Sequence, residues 1–189
     1  MKGWAVWLTG LPGSGKTTIT NELMKKFEQK IKVEYLRMDE IRKILTPKKE
    51  YTKKERDYAY RALVSMGKFL TDNGTNVIID ATGHRRVWRD LARKLIPNFV
   101  EVFVKCPLEI CMTRESRRKD NLIVRDLYKK ALERMKSGKR IVGLGEVIGV
   151  DVEYEKPEKP ELIIESDKLD PKESSEKIFQ FLKLKFYKE

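Results

Sequence analysis

A glycine-rich segment near the start of the chain carries the clearest chemical signal. Residues 10–17, GLPGSGKT, match the pattern G-x-x-x-x-G-K-[ST], between an apolar run and a helical pattern. Such glycines let backbone N–H groups turn inward around phosphate oxygens, and the following helix points its positive dipole end at them. The segment predicts a nucleotide-binding cradle made by Gly10, Leu11, Pro12, Gly13, Ser14, Gly15, Lys16, Thr17 and Thr18.

Two side chains of this cradle have separate predicted roles. Lys16 is expected to neutralise β- and γ-phosphate oxygens during catalysis, and Thr17 to present its hydroxyl to Mg²⁺. The sequence has no N-K-x-D segment that would read guanine. We therefore expect a chain that uses ATP and Mg²⁺, most simply a small kinase that transfers the γ-phosphate to a hydroxyl.

Transfer to a hydroxyl also needs carboxylates, and two follow predicted strands. Asp39 lies just beyond the second apolar run and is expected to orient or deprotonate the acceptor hydroxyl. The alternative is a helix N-cap, with Arg42 as its i+3 neighbour. Asp80 closes the run NVIID and is expected to hold Mg²⁺ through water together with Thr17, or else only to cap the strand end.

Arginines of a basic lid are the candidates for clamping the transferring phosphoryl group. Arg114, Arg117 and Arg118 lie in or beside the charged stretch 115–126, and Arg114 is predicted to be catalytic. The alternative for each is a solvated surface cation. One or two members of a second group are expected to face the same cleft: Arg85, Arg86 and Arg89.

The elements that position these residues follow from the alternation of apolar runs and helical patterns. Strands are predicted at 4–8, 32–36, 76–80, 100–104 and 161–165. Helices are predicted at 16–30, 52–72, 85–95, 107–116, 125–137 and 171–186. This order predicts an α/β fold with three layers, in which a five-stranded parallel sheet has helices on both faces. Ligands in such folds bind at the carboxyl ends of the strands.

Length and composition set the outer limits. The 189 residues fit one domain, 1–189, with a lid at about 114–127 and a Gly/Pro-rich loop at about 138–160. The apolar runs are too short for a membrane span, and the first of them lacks the small-residue cleavage site of a signal peptide, so we expect no membrane partner and a cytoplasmic location. The net charge of +12 suits phosphate-rich partners or the charged surface of a thermophile protein.

Few residues could form a disulfide framework or a zinc site. The chain has two cysteines, Cys106 and Cys111, which we predict to be small buried side chains. Its single histidine, His84, is predicted to be exposed, with no role beyond a possible substrate contact. A structural zinc site is therefore not expected.

Several segments together resemble the adenylylsulfate kinase family. They are WLTGLPGSGKTTI at 7–19, YTKKERDYAYR at 51–61, FVEVFVKCPLEIC at 99–111, DLYKKA at 126–131 and YEKPEKPEL at 154–162. The resemblance implies a P-loop kinase fold, MgATP as phosphoryl donor and the 3′-hydroxyl of adenosine 5′-phosphosulfate (APS) as acceptor. It also implies a homodimer.

The resemblance transfers site residues position by position. It implies that Asp39 and Arg42 contact the acceptor, that Tyr51 stacks on its adenine, and that Arg56 also binds it. The lysine of the family's motif after the lid corresponds to Lys129 or Lys130.

The chain departs from the family pattern at the acceptor side. Arg37-Met38-Asp39 stands where the family has Asp-Gly-Asp, and Ala59 where it has a substrate-contacting Asn. Val147-Ile148-Gly149 replaces Phe-Thr-Gly, Asp80-Ala81-Thr82-Gly83 replaces a Ser-Pro turn, and the lid is longer. Two alternatives therefore stay open: a kinase of another hydroxyl, such as a nucleic-acid end, a tRNA-linked group or a small metabolite, and a regulatory module that binds ATP without transferring phosphate.

Overall fold

A parallel sheet forms the centre of the protein. The computed structural model describes residues 2–28, 31–46, 52–117, 126–139, 141 and 144–187. Its strands are β1 (Ala5–Thr9), β2 (Val33–Arg37), β3 (Asn76–Asp80), β4 (Phe99–Lys105) and β5 (Leu162–Glu165). All pair in parallel, in the order β2-β3-β1-β4-β5. The predicted α/β sheet is confirmed, with strand bounds within one or two residues of those expected.

Seven helices accompany these strands in the described part of the chain. They are α1 (Lys16–Phe27), α2 (Met38–Leu45), α3 (Lys53–Asp72), α4 (Arg86–Leu95), α5 (Leu108–Ser116), α6 (Leu127–Ser137) and α7 (Pro171–Phe186). α2 is missing from the predicted helices, although Met38, Ile41 and Leu45 have helical spacing and the N-cap alternative for Asp39 implied a helix there. Thr52 caps α3, since its hydroxyl accepts a hydrogen bond from the Glu55 N–H over 3.1 Å.

The two faces of the sheet have separate apolar cores, as the three-layer prediction requires. Alternate residues of β1 point to opposite faces, so Trp7 packs with α3 and α4, whereas Val6 and Leu8 pack with α1 and α7. Every residue of β1 is buried. Leu63 and Trp88 on one face, like Leu23 and Ile178 on the other, are at most 1% exposed.

The same topology gathers the polar strand ends at one edge. β1 runs directly into the glycine-rich loop, and β3 ends at Asp80, which is in register with Leu8 of β1 and Arg37 of β2. The loop before α1, the end of β3 and the start of α2 are therefore neighbours. Within the described ranges, no helix is long and apolar enough to cross a membrane.

Candidate active site

The glycine-rich loop has a backbone that only glycine adopts easily at two of its turns. Gly13 has φ 82° and Gly15 has φ 96°, in the left-handed region. A Cβ atom at Gly13 would lie 2.3 Å from the carbonyl oxygen of Cys111, so a side chain has no room there. Because Gly13 has no side chain, the loop can lie close to the first turn of α5.

Lys16 lies inside the curve of this loop. Its side chain is buried, and Nζ donates to the carbonyl oxygens of Gly10 (3.0 Å) and Leu11 (2.9 Å). α1 begins at Lys16 with no side-chain cap and no acidic residue in its first turn. The positive end of the helix dipole and the ammonium group therefore act on the same small volume, which suits the phosphates of a nucleotide. Thr18, two residues into α1, is exposed.

Thr17 and Asp80 are in direct contact. The Thr17 hydroxyl donates to Asp80 Oδ2 over 2.6 Å, and the Tyr35 hydroxyl donates to the same oxygen over 2.9 Å. A hydroxyl and a carboxylate are the hard oxygen ligands that Mg²⁺ takes when it also binds nucleotide phosphates and water, so these residues fit the ion. Among the described residues, no group of three or more His, Cys, Asp or Glu side chains could hold a metal ion.

A cavity of about 140 Å³ connects the phosphate loop with the acceptor side. Its lining includes Lys16, Thr17 and Asp80 of the phosphate site as well as Asp39, Arg42 and Arg56. The structure therefore brings together the residues that the sequence chose for phosphate binding and those that the resemblance chose for the acceptor.

Asp39 is the second residue of α2, and Arg37 occupies the N-cap position. The alternative that Asp39 serves as the N-cap of this helix is therefore wrong. Asp39, in the first turn of α2, lines the same cavity as Lys16. A carboxylate at this position could accept the proton of a hydroxyl that reacts with a bound triphosphate.

Two buried arginines come from different helices and are both oriented by partners. Arg42 Nη1 lies 3.0 Å from Glu55 Oε1, and both side chains are almost fully buried. Arg56 Nη2 donates to the carbonyl oxygen of Glu146 over 2.6 Å. With two guanidinium groups at one wall, the cavity can bind an anionic acceptor.

The lid residues have mixed positions. Arg114, at the end of α5, donates to the carbonyl oxygen of Ser166 over 2.8 Å, and its Nη1 would lie 3.8 Å from a Cβ atom at Gly15. It is thus beside the phosphate loop. Arg117 ends α5 and is exposed, whereas Arg118 lies outside the described residues.

Other predicted acceptor residues are not at the described wall of the cavity. Lys129 is exposed and Lys130 half-buried on α6, where Leu127 reaches the cavity instead. α6 is fixed to the phosphate loop by Tyr128, whose hydroxyl donates to the carbonyl oxygen of Pro12 over 2.8 Å. Tyr51 lies outside the described residues.

The arginines after β3 do not line the described wall of the cavity, contrary to expectation. Arg89 is buried beneath the sheet and pairs with Glu101 at 2.7 Å. Arg86 pairs with Glu158 at the surface, and Arg85 lies over the ring of Trp88. α4 turns Arg89 toward the sheet, and Arg85 lines a neighbouring cavity together with Arg56 and Glu146.

The prediction that His84 is exposed is wrong. Its side chain is 4% exposed and packs edge-on against Trp88 and Tyr60, with ring centroids 5.0 and 6.5 Å away. Burial, followed by the charges of Arg56 and Arg85, lowers the pKa of His84 to about 3. Exposure was predicted because His84 lies between Gly83 and two arginines, a composition typical of surface loops.

The cysteines partly agree with expectation. Cys111 is fully buried and Cys106 half-buried, and neither forms a disulfide. Cys106 Sγ lies 3.7 Å from Arg114 Nη1. Both cysteines pack in an apolar cluster beside Leu11 of the phosphate loop.

Some residues at the cavity were not predicted. Tyr60 borders it, and its hydroxyl accepts a hydrogen bond from the Gly83 N–H over 3.0 Å. Glu146 supplies the carbonyl oxygen that orients Arg56. Tyr60 lies four residues after Arg56 on α3, so helical spacing could have indicated it. Glu146 lies in a loop, and no sequence pattern indicated its contact.

Two positions at which the chain departs from the family pattern, Val147 and Ala59, are buried. Val147 is buried and borders the cavity together with Ile148. Ala59 is 2% exposed and belongs to the core between α3 and the sheet. An aliphatic wall therefore stands where the family has an aromatic ring.

Comparison with known proteins gives one consistent result. A family profile described as "Adenylylsulphate kinase" matches residues 2–165. A "Probable adenylyl-sulfate kinase" of Archaeoglobus fulgidus is 39% identical over 88% of this chain and 98% of its own length. An adenylyl-sulfate kinase of Rippkaea orientalis is 38% identical over 96% and 92%.

The fold gives the same match. The APS kinase of Mycobacterium tuberculosis, solved in complex with AMPPNP and APS, superposes with a TM-score of 0.78. It is 26% identical to this chain, and the superposition covers 96% of this chain and 98% of that one.

Proposed function

The chain belongs to the adenylylsulfate kinase family, and on that premise we propose that it transfers the γ-phosphate of ATP to the 3′-hydroxyl of APS. The observation that supports this most directly is the shared cavity. Lys16 of the phosphate loop lines it together with Asp39, Arg42 and Arg56. The triphosphate of ATP and the hydroxyl of an anionic acceptor could therefore bind next to each other in this cavity.

Asp39 acts on the acceptor hydroxyl in this proposal. The hydroxyl oxygen attacks the γ-phosphorus, the bond from that phosphorus to the bridging oxygen of ADP breaks, and the hydroxyl proton passes to the Asp39 carboxylate. Because phosphoryl transfer needs little covalent help from the protein, the main task of Asp39 is to hold the hydroxyl in line with the breaking bond.

The phosphate loop neutralises the charge that develops on the nucleotide. Lys16 and the backbone N–H groups at the start of α1 surround the phosphates. Thr17 and Asp80 would hold Mg²⁺, which when bound adds positive charge at the β- and γ-phosphates. Arg114 is proposed to approach the same phosphates from the end of α5.

Arg42 and Arg56 are proposed to bind the phosphosulfate or ribose of the acceptor. Both side chains are already desolvated, at 6% and 5% exposure, and both are held by Glu55 or the Glu146 carbonyl. Their reorganisation on binding is therefore small, which favours affinity. Tyr51, Lys129 and Lys130 remain proposed acceptor contacts.

The test is an acceptor comparison with the purified protein. ADP release from MgATP should rise by orders of magnitude when APS is added, whereas adenosine 5′-monophosphate, which lacks the sulfate, should stimulate it far less. If no added nucleotide stimulates ADP release and the protein still binds ATP, the regulatory-module alternative replaces the kinase. If RNA or DNA ends stimulate release, another acceptor is correct.

Three further properties belong to the same proposal. A cytoplasmic location fits an ATP-consuming protein with two free cysteines. A homodimer is proposed from the resemblance and is checked by light scattering. Stability at high temperature, as a thermophile protein would show, is checked by thermal unfolding.

A further inference from the structure

Tyr35 touches the carboxylate that the phosphate loop also touches. Its hydroxyl donates to Asp80 Oδ2 over 2.9 Å, and the Thr17 hydroxyl donates to that same oxygen over 2.6 Å. Asp80 is 5% exposed, so its carboxylate exchanges little with bulk water. Two donors on Oδ2 hold the carboxylate in one orientation, and neither of them contacts its other oxygen, Oδ1.

This arrangement also fixes the Thr17 hydroxyl. A hydroxyl has one proton to donate and two lone pairs to offer. Because the proton of Thr17 goes to Asp80, its lone pairs are the part that remains for a cation. Any side chain that holds the Asp80 carboxylate therefore also sets the direction in which the Thr17 lone pairs point.

The sheet register explains why a tyrosine reaches this carboxylate. β2 is the edge strand, and it pairs with β3 so that Arg37 is opposite Asp80 and Tyr35 is opposite Ile78. Tyr35 and Asp80 are thus diagonal neighbours on the sheet face that α1 covers, one strand apart and two residues along, a separation of about 8 Å that an aromatic side chain spans. A shorter side chain at position 35 would not reach.

From this geometry we propose that Tyr35 is a positioning residue for the Mg²⁺ site, acting through Asp80 rather than on the nucleotide. Tyr35 is not part of the described wall of the cavity that Thr17 and Asp80 border. The end of β2 thus contributes a hydroxyl that orients the acid of β3. The proposal rests on the proposed function only in taking MgATP as the ligand.

The test is Tyr35→Phe, which removes the hydroxyl and keeps the ring. ADP affinity is measured by calorimetry with and without Mg²⁺. We expect affinity for metal-free ADP to stay unchanged, and the gain in affinity that Mg²⁺ gives to fall by about 10-fold, as for other residues that orient metal ligands. Tyr58→Phe is the matched control, because Tyr58 is 62% exposed on α3.

A double-mutant comparison separates positioning from a purely structural role. Asp80→Asn should lower the Mg²⁺-dependent gain more than Tyr35→Phe does, and the double variant should lose no more than Asp80→Asn alone. A structural role would instead lower the unfolding temperature while the gain stayed at the wild-type value. Additive losses in the double variant would also overturn the proposal.

These titrations test the role of Tyr35 separately from the proposed function, because they contain no acceptor. If Tyr35→Phe keeps the full Mg²⁺-dependent gain, the positioning role is wrong even when APS is phosphorylated normally. If APS is not phosphorylated by the wild-type protein, the titrations still decide the role of Tyr35. A wild-type protein that binds ADP equally well with and without Mg²⁺ overturns the positioning role as well.

Discussion

Arg56 on α3 donates to the backbone carbonyl of Glu146 over 2.6 Å, and this bond joins the acceptor wall to the Gly/Pro-rich loop. Both residues border the cavity. The loop is therefore placed by the same guanidinium group that is proposed to bind the acceptor. Changes in the loop and changes in Arg56 should affect the same step.

Arg56→Ala is expected to weaken APS binding without weakening ATP binding. A hydrogen bond to a charged group is worth about 1.5–3 kcal/mol, so the KM for APS should rise by about 10- to 100-fold. Steady-state kinetics with each substrate varied in turn measure this. Arg61→Ala is the control, because Arg61 is exposed on the same helix and pairs with Asp57 at 2.7 Å. A rise in the KM for ATP alone would contradict the assignment.

Gly13→Ala is expected to abolish nucleotide binding and to destabilise the fold. The new Cβ would lie 2.3 Å from the Cys111 carbonyl oxygen at φ 82°, so the loop must move. Gly138→Ala is the control, since Gly138 also has a positive φ of 67° but open space around it. The control should lose only about 1–2 kcal/mol of unfolding free energy and bind ATP normally. Equal ATP affinity in both variants would refute the cradle.

His84 should make the protein less stable as the pH falls below neutrality. Its pKa is lowered to about 3 in the folded protein, whereas an unfolded chain takes up the proton near its ordinary value of about 6.5. The unfolded state then binds the extra proton, and the unfolding free energy falls by up to about 1.4 kcal/mol per pH unit between those values. Urea titrations at pH 7, 6 and 5 measure this slope above the range where most carboxylates titrate.

His84→Phe should remove that slope between pH 6.5 and 5 while keeping an aromatic ring in place. The chain has one histidine, so a proton NMR titration follows it without ambiguity. We expect its ring signals to stay constant from pH 8 to 5. A midpoint near 6.5, or an equal slope in the variant, would show that the ring is exposed to solvent.

The buried pair of Arg89 and Glu101 should matter more for stability than any surface pair. Their side chains are 1% and 6% exposed, and Nη1 lies 2.7 Å from Oε1. Arg89→Ala would remove the buried partner of Glu101 and leave its pairing with Arg93 at 3.1 Å, so it should cost about 1.5–3 kcal/mol of unfolding free energy. Arg86→Ala, which breaks an exposed pair with Glu158, should cost at most about 1 kcal/mol. Equal losses in denaturant unfolding would contradict the difference in burial.

The sequence predicted the sheet well, and it selected phosphate-loop residues that lie together in the structure, because both depend on local patterns. Apolar runs of β1 and β3 are buried on both faces, so they stand out from the charged residues around them. The glycine-rich motif fixes its own backbone and the start of α1. Thr17 and Asp80, chosen as separate metal ligands, proved to be in contact at 2.6 Å.

The acceptor side was harder because its contacts are tertiary. α2 is only eight residues long, and Glu146 reaches Arg56 from a loop that has no periodic pattern. His84 was expected at the surface and Arg89 at the cleft or the surface, yet both are buried, His84 against Trp88 of α4 and Arg89 against Glu101 of the sheet. Contacts such as Arg56 with the Glu146 carbonyl join residues 90 positions apart.

The central claim is that Asp39 orients the acceptor hydroxyl opposite the phosphate loop, and the rate of 3′-phosphorylation of APS in Asp39→Asn tests it most directly. The change keeps the size of the side chain and removes its charge, so kcat should fall by about 10²- to 10⁴-fold while ATP affinity stays within about 2-fold. Glu40→Gln, on the exposed side of α2, should keep wild-type kcat. A variant at Asp39 that makes product at the wild-type rate would contradict the account.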